Sequence, residues 1–425
     1  MSVNRAAARQ PFHLMAKPTG YQCNIACDYC FYLEKETGTL KRTRYARHMD
    51  DATLEAYVRN YIAASPMPEV EFAWQGGEPT MAGLDFYKRA LDLQKKHANG
   101  KTIRNAMQTN GLLIDDAWAT FLAENDFLIG LSIDGPSELH DAHRKARNGK
   151  SVFDKVRKSL ELLKKHDVEY NILSVVNATT AQHPVEIYRY LTRELGAQFL
   201  QFIPAVEQRH SGETAGELLY PQSREATAEV TDWSVSGEDY GRFIIGIFDE
   251  WVKRDVGKVY VQTFDSTLAA FAGDAPALCV MQQRCGRNLI IEQNGDIYSC
   301  DHYVYPEHKL GNIRKDNLAG LVDGRKQHAF GLMKTHLPQA CVTCDWRFTC
   351  HGGCPKHRIH RDGKRWHNHL CAGYKAMYAH MAPYMNYMAE QIRIGRAPAN
   401  IMLVAADIAA RQERTDPQQG QPATH

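Results

Sequence analysis

This 425-residue sequence predicts an α/β fold: a barrel of parallel strands with helices outside, followed by a cysteine-rich region. Three observations predict it. Short apolar runs alternate with amphipathic segments from residue 12 to residue 204. Cysteines are absent between residues 31 and 278 although the chain has eleven. A polar, irregular stretch from Val206 to Asp239 separates the two regions. Repeated strand-helix units imply parallel strands covered by helices, in an open or closed barrel, with chemistry at the carboxyl ends of the strands.

Six strands follow from apolar runs bounded by turn residues: "FHLMAK" (12–17), "VEFAWQ" (70–75), "RNAMQT" (104–109), "FLIGLSID" (127–134), "EYNILSVV" (169–176) and "FLQFIP" (199–204). Between the fourth and fifth lies "FDKVRKSLELLKKH", where Phe153, Val156, Leu160 and Leu163 recur at helical spacing with lysines opposite. After the polar stretch, "YGRFIIGIFDEWVKR" reads as a helix. "NLIIEQNGDIYSCD" reads as a β-hairpin, because Asn294-Gly295 suits a tight turn between alternating apolar positions. The final "RQERTDPQQGQPATH" is polar and lacks the apolar content to order itself. The expected boundaries are a barrel over 1–205, a linker with bridging helices over 206–275, an auxiliary domain over 276–375, a C-terminal helix over 376–395 and an extension with a disordered tail over 396–425.

Composition narrows the function. Lys and Arg total 51 against 49 Asp and Glu, a formal net charge of +2, which offers no global field for nucleic acid or anionic lipid. The N-terminus lacks the apolar core of a signal peptide and no run of 18 apolar residues occurs, so a soluble cytoplasmic protein without a membrane partner is expected. In a reducing compartment thiols do not pair, and an odd number cannot pair completely, so metal ligation or catalysis is the reading for the cysteines.

The first group, "CNIACDYC", spaces Cys23, Cys27 and Cys30 three then two residues apart, without a fourth cysteine nearby. A zinc ion completed by a distant ligand is one reading, but zinc sites usually present two paired knuckles. Three thiolates on the loop after a first barrel strand suit three corners of a 4Fe-4S cubane. The fourth iron is then open to chelation by an amino and a carboxylate group, as S-adenosylmethionine would supply.

With Tyr29 before its last cysteine, this CxxxCxxC motif resembles the signature of radical S-adenosylmethionine enzymes, which implies a partial (β/α)6 TIM-like barrel and a cofactor contact for Tyr29. Other strand ends agree. "WQGGEPT" resembles the family motif that binds the methionyl amino group, implying cofactor contacts for Gly76, Gly77 and Glu78. A plain strand-to-helix turn with Pro79 at the helix start would explain it as well. "QTNG" and "LSIDGP" end the third and fourth strands; the resemblance implies cofactor contact for Ser132 and a place in the same wall for Asn110 and Arg144.

The eight later cysteines include "CVTCDWRFTCHGGC" followed by Cys371, which matches the SPASM domain with its two auxiliary 4Fe-4S clusters. Spacing alone does not say which thiolates share a cluster. The resemblance implies Cys279, Cys285, Cys300 and Cys354 for one and Cys341, Cys344, Cys350 and Cys371 for the other. A zinc ribbon drawing on His351, His357, His360, His367 or His369 is an alternative for this region alone. Those histidines, with Arg358, Arg361, Lys364 and Arg365, are expected to form a solvated basic surface or to steady reduced clusters. The basic "KRTRYARH" at 41–48 reads as a hydrated loop without a role.

Within this group, "FAWQGGEPTMAG", "MQTNGLLID", "LIGLSIDGP" and "IYSCDHYV" resemble the anaerobic sulfatase-maturating enzymes. That resemblance implies oxidation of a cysteine or serine in a sulfatase Cys/Ser-x-Pro-x-Arg segment to Cα-formylglycine, with three 4Fe-4S clusters, S-adenosylmethionine and a flavodoxin- or ferredoxin-like reductant. The reaction needs a hydrogen-atom abstractor, a base and an electron acceptor. Asp301, beside Cys300, is the candidate base, and Tyr32 and Gln75 match positions at the peptide pocket. Two other classes stay open: a SPASM enzyme that forms a thioether or another peptide crosslink, and a non-enzymatic iron-sulfur electron-transfer protein.

Overall fold

The computed structural model describes residues 7–32, 48–210, 218–219, 228–362 and 364–415. The basic loop at 41–48 therefore lies outside the described residues except for His48.

Ten strands form one sheet: β1 (His13–Lys17), β2 (Glu69–Trp74), β3 (Thr102–Thr109), β4 (Phe127–Ser132), β5 (Tyr170–Val176), β6 (Phe199–Pro204), β7 (Tyr260–Val261), β8 (Asn288–Glu292), β9 (Asp296–Tyr298) and β10 (Lys309–Asn312). Their order is β7-β6-β5-β4-β3-β2-β1-β8-β9-β10. From β7 to β8 every neighbouring pair is parallel, and β8-β9-β10 is antiparallel. The six strands read from the sequence are all present.

Helices pack on the outer face because the strands place apolar side chains there at every second residue. On β2 these are Val70, Phe72 and Trp74, all buried. Two helices, α1 (Asp51–Ala64) and α2 (Leu84–His97), cover them with Tyr57, Tyr61, Phe86 and Tyr87 in edge-to-face contacts. Each such ring contributes roughly 1.5–3 kcal/mol by burial. The polar edge of Trp74 is satisfied too, since its Nε1 donates to Asn105 Oδ1 at 2.9 Å. Helix starts are capped by their own sequence: Asp50 accepts from Thr53 N at 2.7 Å to open α1, and Asp115 accepts from Trp118 N at 2.9 Å to open α3 (Asp116–Glu124). The expected amphipathic helix is α4 (Phe153–Lys165), its apolar stripe buried.

Three features depart from the sequence reading. The hairpin β8-β9 does not belong to a detached domain, because β8 pairs in parallel with β1 from His13↔Asn288 to Lys17↔Glu292. Leu289, Ile290 and Ile291 are buried in succession, the mark of a strand covered on both faces. Cys371 opens a helix, α6 (Cys371–Arg393), that runs through the boundary expected at 375. That helix crosses α5 (Gly237–Arg254) so closely that a Cβ on Gly373 would overlap the Gly237 carbonyl oxygen. The chain is also helical over Ala405–Thr415, so residues 411 to 415 of the expected tail are ordered; 416–425 lie outside the described residues.

Candidate active site

The loop after β1 carries the first cysteine trio and is held from two sides. Its short strand Ile25–Cys27 pairs antiparallel with Arg144–Ala146, setting Arg144 directly opposite Cys27. From the other side, the end of β2 stitches onto it: Gly77 N donates to Gly20 O and Glu78 N to Gln22 O, each at 2.8 Å. Gly77 must be glycine here, because a Cβ would overlap the Gln22 carbonyl oxygen.

A cavity of about 420 Å³ opens at the carboxyl ends of the strands. Cys23, Cys27, Cys30 and Tyr29 line it beside Gly76, Gly77, Asn110, Ser132 and Arg144; Tyr32 and Gln75 are on the wall as well, and Cys279 comes from the C-terminal region. Among the described residues Gln75 Oε1 is buried without a hydrogen-bond partner. Asn110 Nδ2 donates to Asn24 Oδ1 at 2.7 Å and reaches Cys23 Sγ at 3.7 Å, and Gln108 Nε2 donates to Ser132 Oγ at 3.1 Å.

Two predicted cofactor contacts are spent differently. Glu78 is fully buried and absent from the wall. Its carboxylate accepts from Thr80 N and Oγ1, Thr109 Oγ1 and Asn110 N, so it props the β3 end while burial pushes its carboxyl up. The Tyr29 hydroxyl is committed to Asp134, leaving only the ring for the cavity. Asp134 also takes Arg144 Nε at 2.9 Å and Val175 N at 2.8 Å. Burial opposes ionisation of Asp134, yet Arg144 and these donors hold its carboxyl below the usual range.

Asp301 stands one residue behind the wall. Its Oδ1 lies 2.5 Å from Lys17 Nζ, and Lys17, only 1 % exposed, lines the cavity together with His302. The Lys17 ammonium sits 4.2 Å from the Tyr32 ring centroid, and the Tyr32 hydroxyl donates to Glu292, the residue opposite Lys17 in the β1-β8 register. Sequence reasoning missed Lys17 and Glu292; a lysine closing an apolar strand run was the signal. It also missed the buried pair of Glu207 and Lys356, which joins the barrel to the C-terminal region across the cavity, with Lys356 Nζ 4.7 Å from the Phe31 ring.

The later cysteines lie in two places. Cys341, Cys344, Cys350 and Cys371 line one cavity. Cys279, Cys285 and Cys300 each feel Cys354 electrostatically, and buried Lys334 beside them donates to Cys279 O at 2.7 Å and Val280 O at 2.8 Å. Among the described residues no three His, Cys, Asp or Glu groups converge on the position of a single metal ion. Rings of thiols around open space are receptacles for a polynuclear group, so the residues fit 4Fe-4S clusters. Burial first, and repulsion from neighbouring acidic groups second, push the Cys23 thiol up to about 11 and Cys285 and Cys350 up to about 12, so thiolate ligation needs the compensating charge of iron. The nearby basic run is not uniformly solvated: His357 is buried, and Arg358 turns inward to the Lys334 and His351 carbonyls.

Comparison with known proteins bears on this arrangement. The model of the Radical SAM superfamily matches residues 18–191, and that of the SPASM iron-sulfur cluster-binding domain matches 279–345. A serine-type anaerobic sulfatase-maturating enzyme of Bacteroides thetaiotaomicron is 46% identical over 94% of this chain and 96% of its own length. A cysteine-type enzyme of Clostridium perfringens is 34% identical over 90% of this chain and all of its own length. The solved structure of native anSMEcpe with bound AdoMet and Cp18Cys peptide superimposes with a TM-score of 0.79 at 33% identity, covering 90% of this chain and 100% of that one.

Proposed function

This chain belongs to the anaerobic sulfatase-maturating enzymes, radical SAM proteins with a SPASM domain, and from that membership we propose the part each residue plays. The reaction is the oxidation of a cysteine or serine in a sulfatase Cys/Ser-x-Pro-x-Arg motif to Cα-formylglycine. The observation that carries the assignment of roles is the single cavity that joins the first cysteine trio to Cys279 past Gln75, Tyr32 and Lys17.

Cys23, Cys27 and Cys30 hold the first cluster, and each later set of four holds one more. When bound, the first cluster and S-adenosylmethionine supply the electron and the 5'-deoxyadenosyl radical that takes a hydrogen atom from the substrate Cβ. Gly76 and Gly77 let the backbone approach the methionyl end, while Ser132, Asn110 and Arg144 shape the remainder of that wall. Gln75 and Tyr32 orient the peptide. Asp301 takes the thiol or hydroxyl proton, and Lys17 keeps that carboxylate in place and charge-balanced. Glu78 acts through Asn110 and Thr109 as a positioning residue.

The substrate is a sulfatase polypeptide, and the reductant is a flavodoxin- or ferredoxin-like protein. Among the described residues no helix is long and apolar enough to cross a membrane. We place the reaction in the cytoplasm because eleven ligating thiols must be kept from oxidative pairing.

The test is anaerobic incubation of the holoenzyme with reductant, S-adenosylmethionine and matched Cys and Ser peptides. Conversion of the Cys peptide lowers its mass by roughly 18 Da, whereas a crosslink removes roughly 2 Da and would overturn the assignment. In the matched Ser peptide conversion itself removes roughly 2 Da, so there the product is identified by the reaction of its aldehyde with a hydrazine, and the two yields report which residue is preferred.

A further inference from the structure

Two shallow grooves lie side by side on the C-terminal region. One is lined by Lys334, His336, Val342, Arg347, His351 and Arg365, with Gln283, Thr335 and Leu337 between them. The other is lined by His336, Arg358, Lys364 and Arg365, with Met333, Pro355 and Trp366. His336 and Arg365 belong to both, and among the described residues neither groove is lined by a carboxylate. The nearby acid Asp345 lines neither. Arg347, Lys364 and Arg365 are the exposed cations among the lining residues, a local concentration of positive charge in a chain whose charges nearly cancel.

The grooves sit over the later cysteine sets. Arg347 lines the first groove and also the cavity of Cys341, Cys344, Cys350 and Cys371. Arg358, in the lining of the second, reaches inward to the carbonyls of Lys334 and of His351, the residue after Cys350. In the first groove Val342 is 44% exposed, beside Leu337. Apolar side chains ringed by one sign of charge, directly above redox groups, are what a transient electron-transfer partner of opposite charge requires: the charge steers encounter and the apolar centre excludes water on docking. A nucleic acid would be matched by the charge, but not by the exposed Val342.

We infer that this face is the docking surface for a small acidic one-electron carrier protein, which exchanges electrons with the SPASM clusters; the inference rests on the cluster assignment above. In the exchange, a carrier such as a flavodoxin loses one electron as its flavin hydroquinone becomes the semiquinone, and one cluster gains that electron.

The experiment compares the holoenzyme with its Lys364→Glu/Arg365→Glu variant, both side chains being exposed and outside the cysteine cavities. A reduced flavodoxin serves as donor in stopped flow, oxidised flavodoxin serves in calorimetric binding, and dithionite drives turnover as a small-molecule control. Expected are a drop of about tenfold in the second-order rate constant and in affinity, and a flatter dependence on ionic strength, with dithionite-driven turnover unchanged. Equal rates, affinities and salt slopes would overturn the docking surface, as would binding of duplex DNA in place of flavodoxin. Absence of formylglycine from the wild type with dithionite would instead overturn the proposed reaction, so the two failures are distinguishable.

Discussion

Lys17 Nζ and Asp301 Oδ1 are 2.5 Å apart although 284 positions separate the residues in sequence, and the β1-β8 ladder is what brings them together. Removing the carboxylate by Asp301→Asn leaves cluster content and S-adenosylmethionine cleavage intact and suppresses formylglycine. Lys17→Met leaves Asp301 without its counter-ion, a cost of about 1–3 kcal/mol once partial exposure of the acid is allowed for, and lowers turnover by about tenfold or more. Lys17→Arg recovers part of it. Formylglycine yield and 5'-deoxyadenosine, measured in the same reaction, check both; an Asp301→Asn enzyme that turns over normally removes the acid from the mechanism.

Gly77→Ala forces a Cβ onto the Gln22 carbonyl, and the loop bearing Cys23 must shift. Because backbone gives way less readily than side chain, the expected loss is in cofactor binding rather than overall stability. Calorimetry with S-adenosylmethionine reads it as an affinity reduced by about tenfold or more, roughly 1.4 kcal/mol per decade, while the melting temperature moves little.

The His140 imidazole is buried, and desolvation pushes its pKa from 6.5 down to about 4. Its Nδ1 accepts from Asp134 N at 3.4 Å, as a neutral ring can. The unfolded chain therefore binds the proton first as pH falls. Stability from this group is full above the ordinary histidine value and is lost between it and the folded one, by about 3 kcal/mol in total. Urea midpoints of the wild type should fall from about pH 7 to about pH 5, and those of His140→Gln should fall less. Parallel pH profiles for the two proteins would remove His140 as the cause.

Cys371→Ala opens one corner of the cavity lined by Cys341, Cys344 and Cys350. The variant is expected to lose one cluster's share of iron, to retain S-adenosylmethionine cleavage at the first trio, and to make little formylglycine. Iron analysis with electron paramagnetic resonance checks the first, and product mass spectrometry the last. Full iron content in this variant would place Cys371 outside the ligand set.

The six barrel strands were legible because each apolar run ends in residues that turn the chain, and the cysteine spacing marked the sites. Long-range register was not legible. Nothing local in "NLIIE" names β1 as its partner, though three consecutive buried apolar residues signalled burial on both faces. Lys17 and Glu292 acquire their importance only from that register, so a residue-by-residue reading passed them over. Glu78 was read toward the cofactor because it follows two glycines, while its four donors come from the turn and from β3. The polar composition of 411–415 outweighed the helical spacing of Ala405 and Ile408, which pack the preceding turns against the core.

The parallel pairing of β1 with β8 also limits how this molecule can be dissected. A fragment ending before residue 288 would expose every amide and carbonyl on one side of β1, an open edge that invites strand addition from another chain. Such a fragment should self-associate on purification. By the same token, the spacing between the loop of Cys23, Cys27 and Cys30 and the hairpin that leads to Cys300 is set by a ladder of backbone hydrogen bonds rather than by a tether.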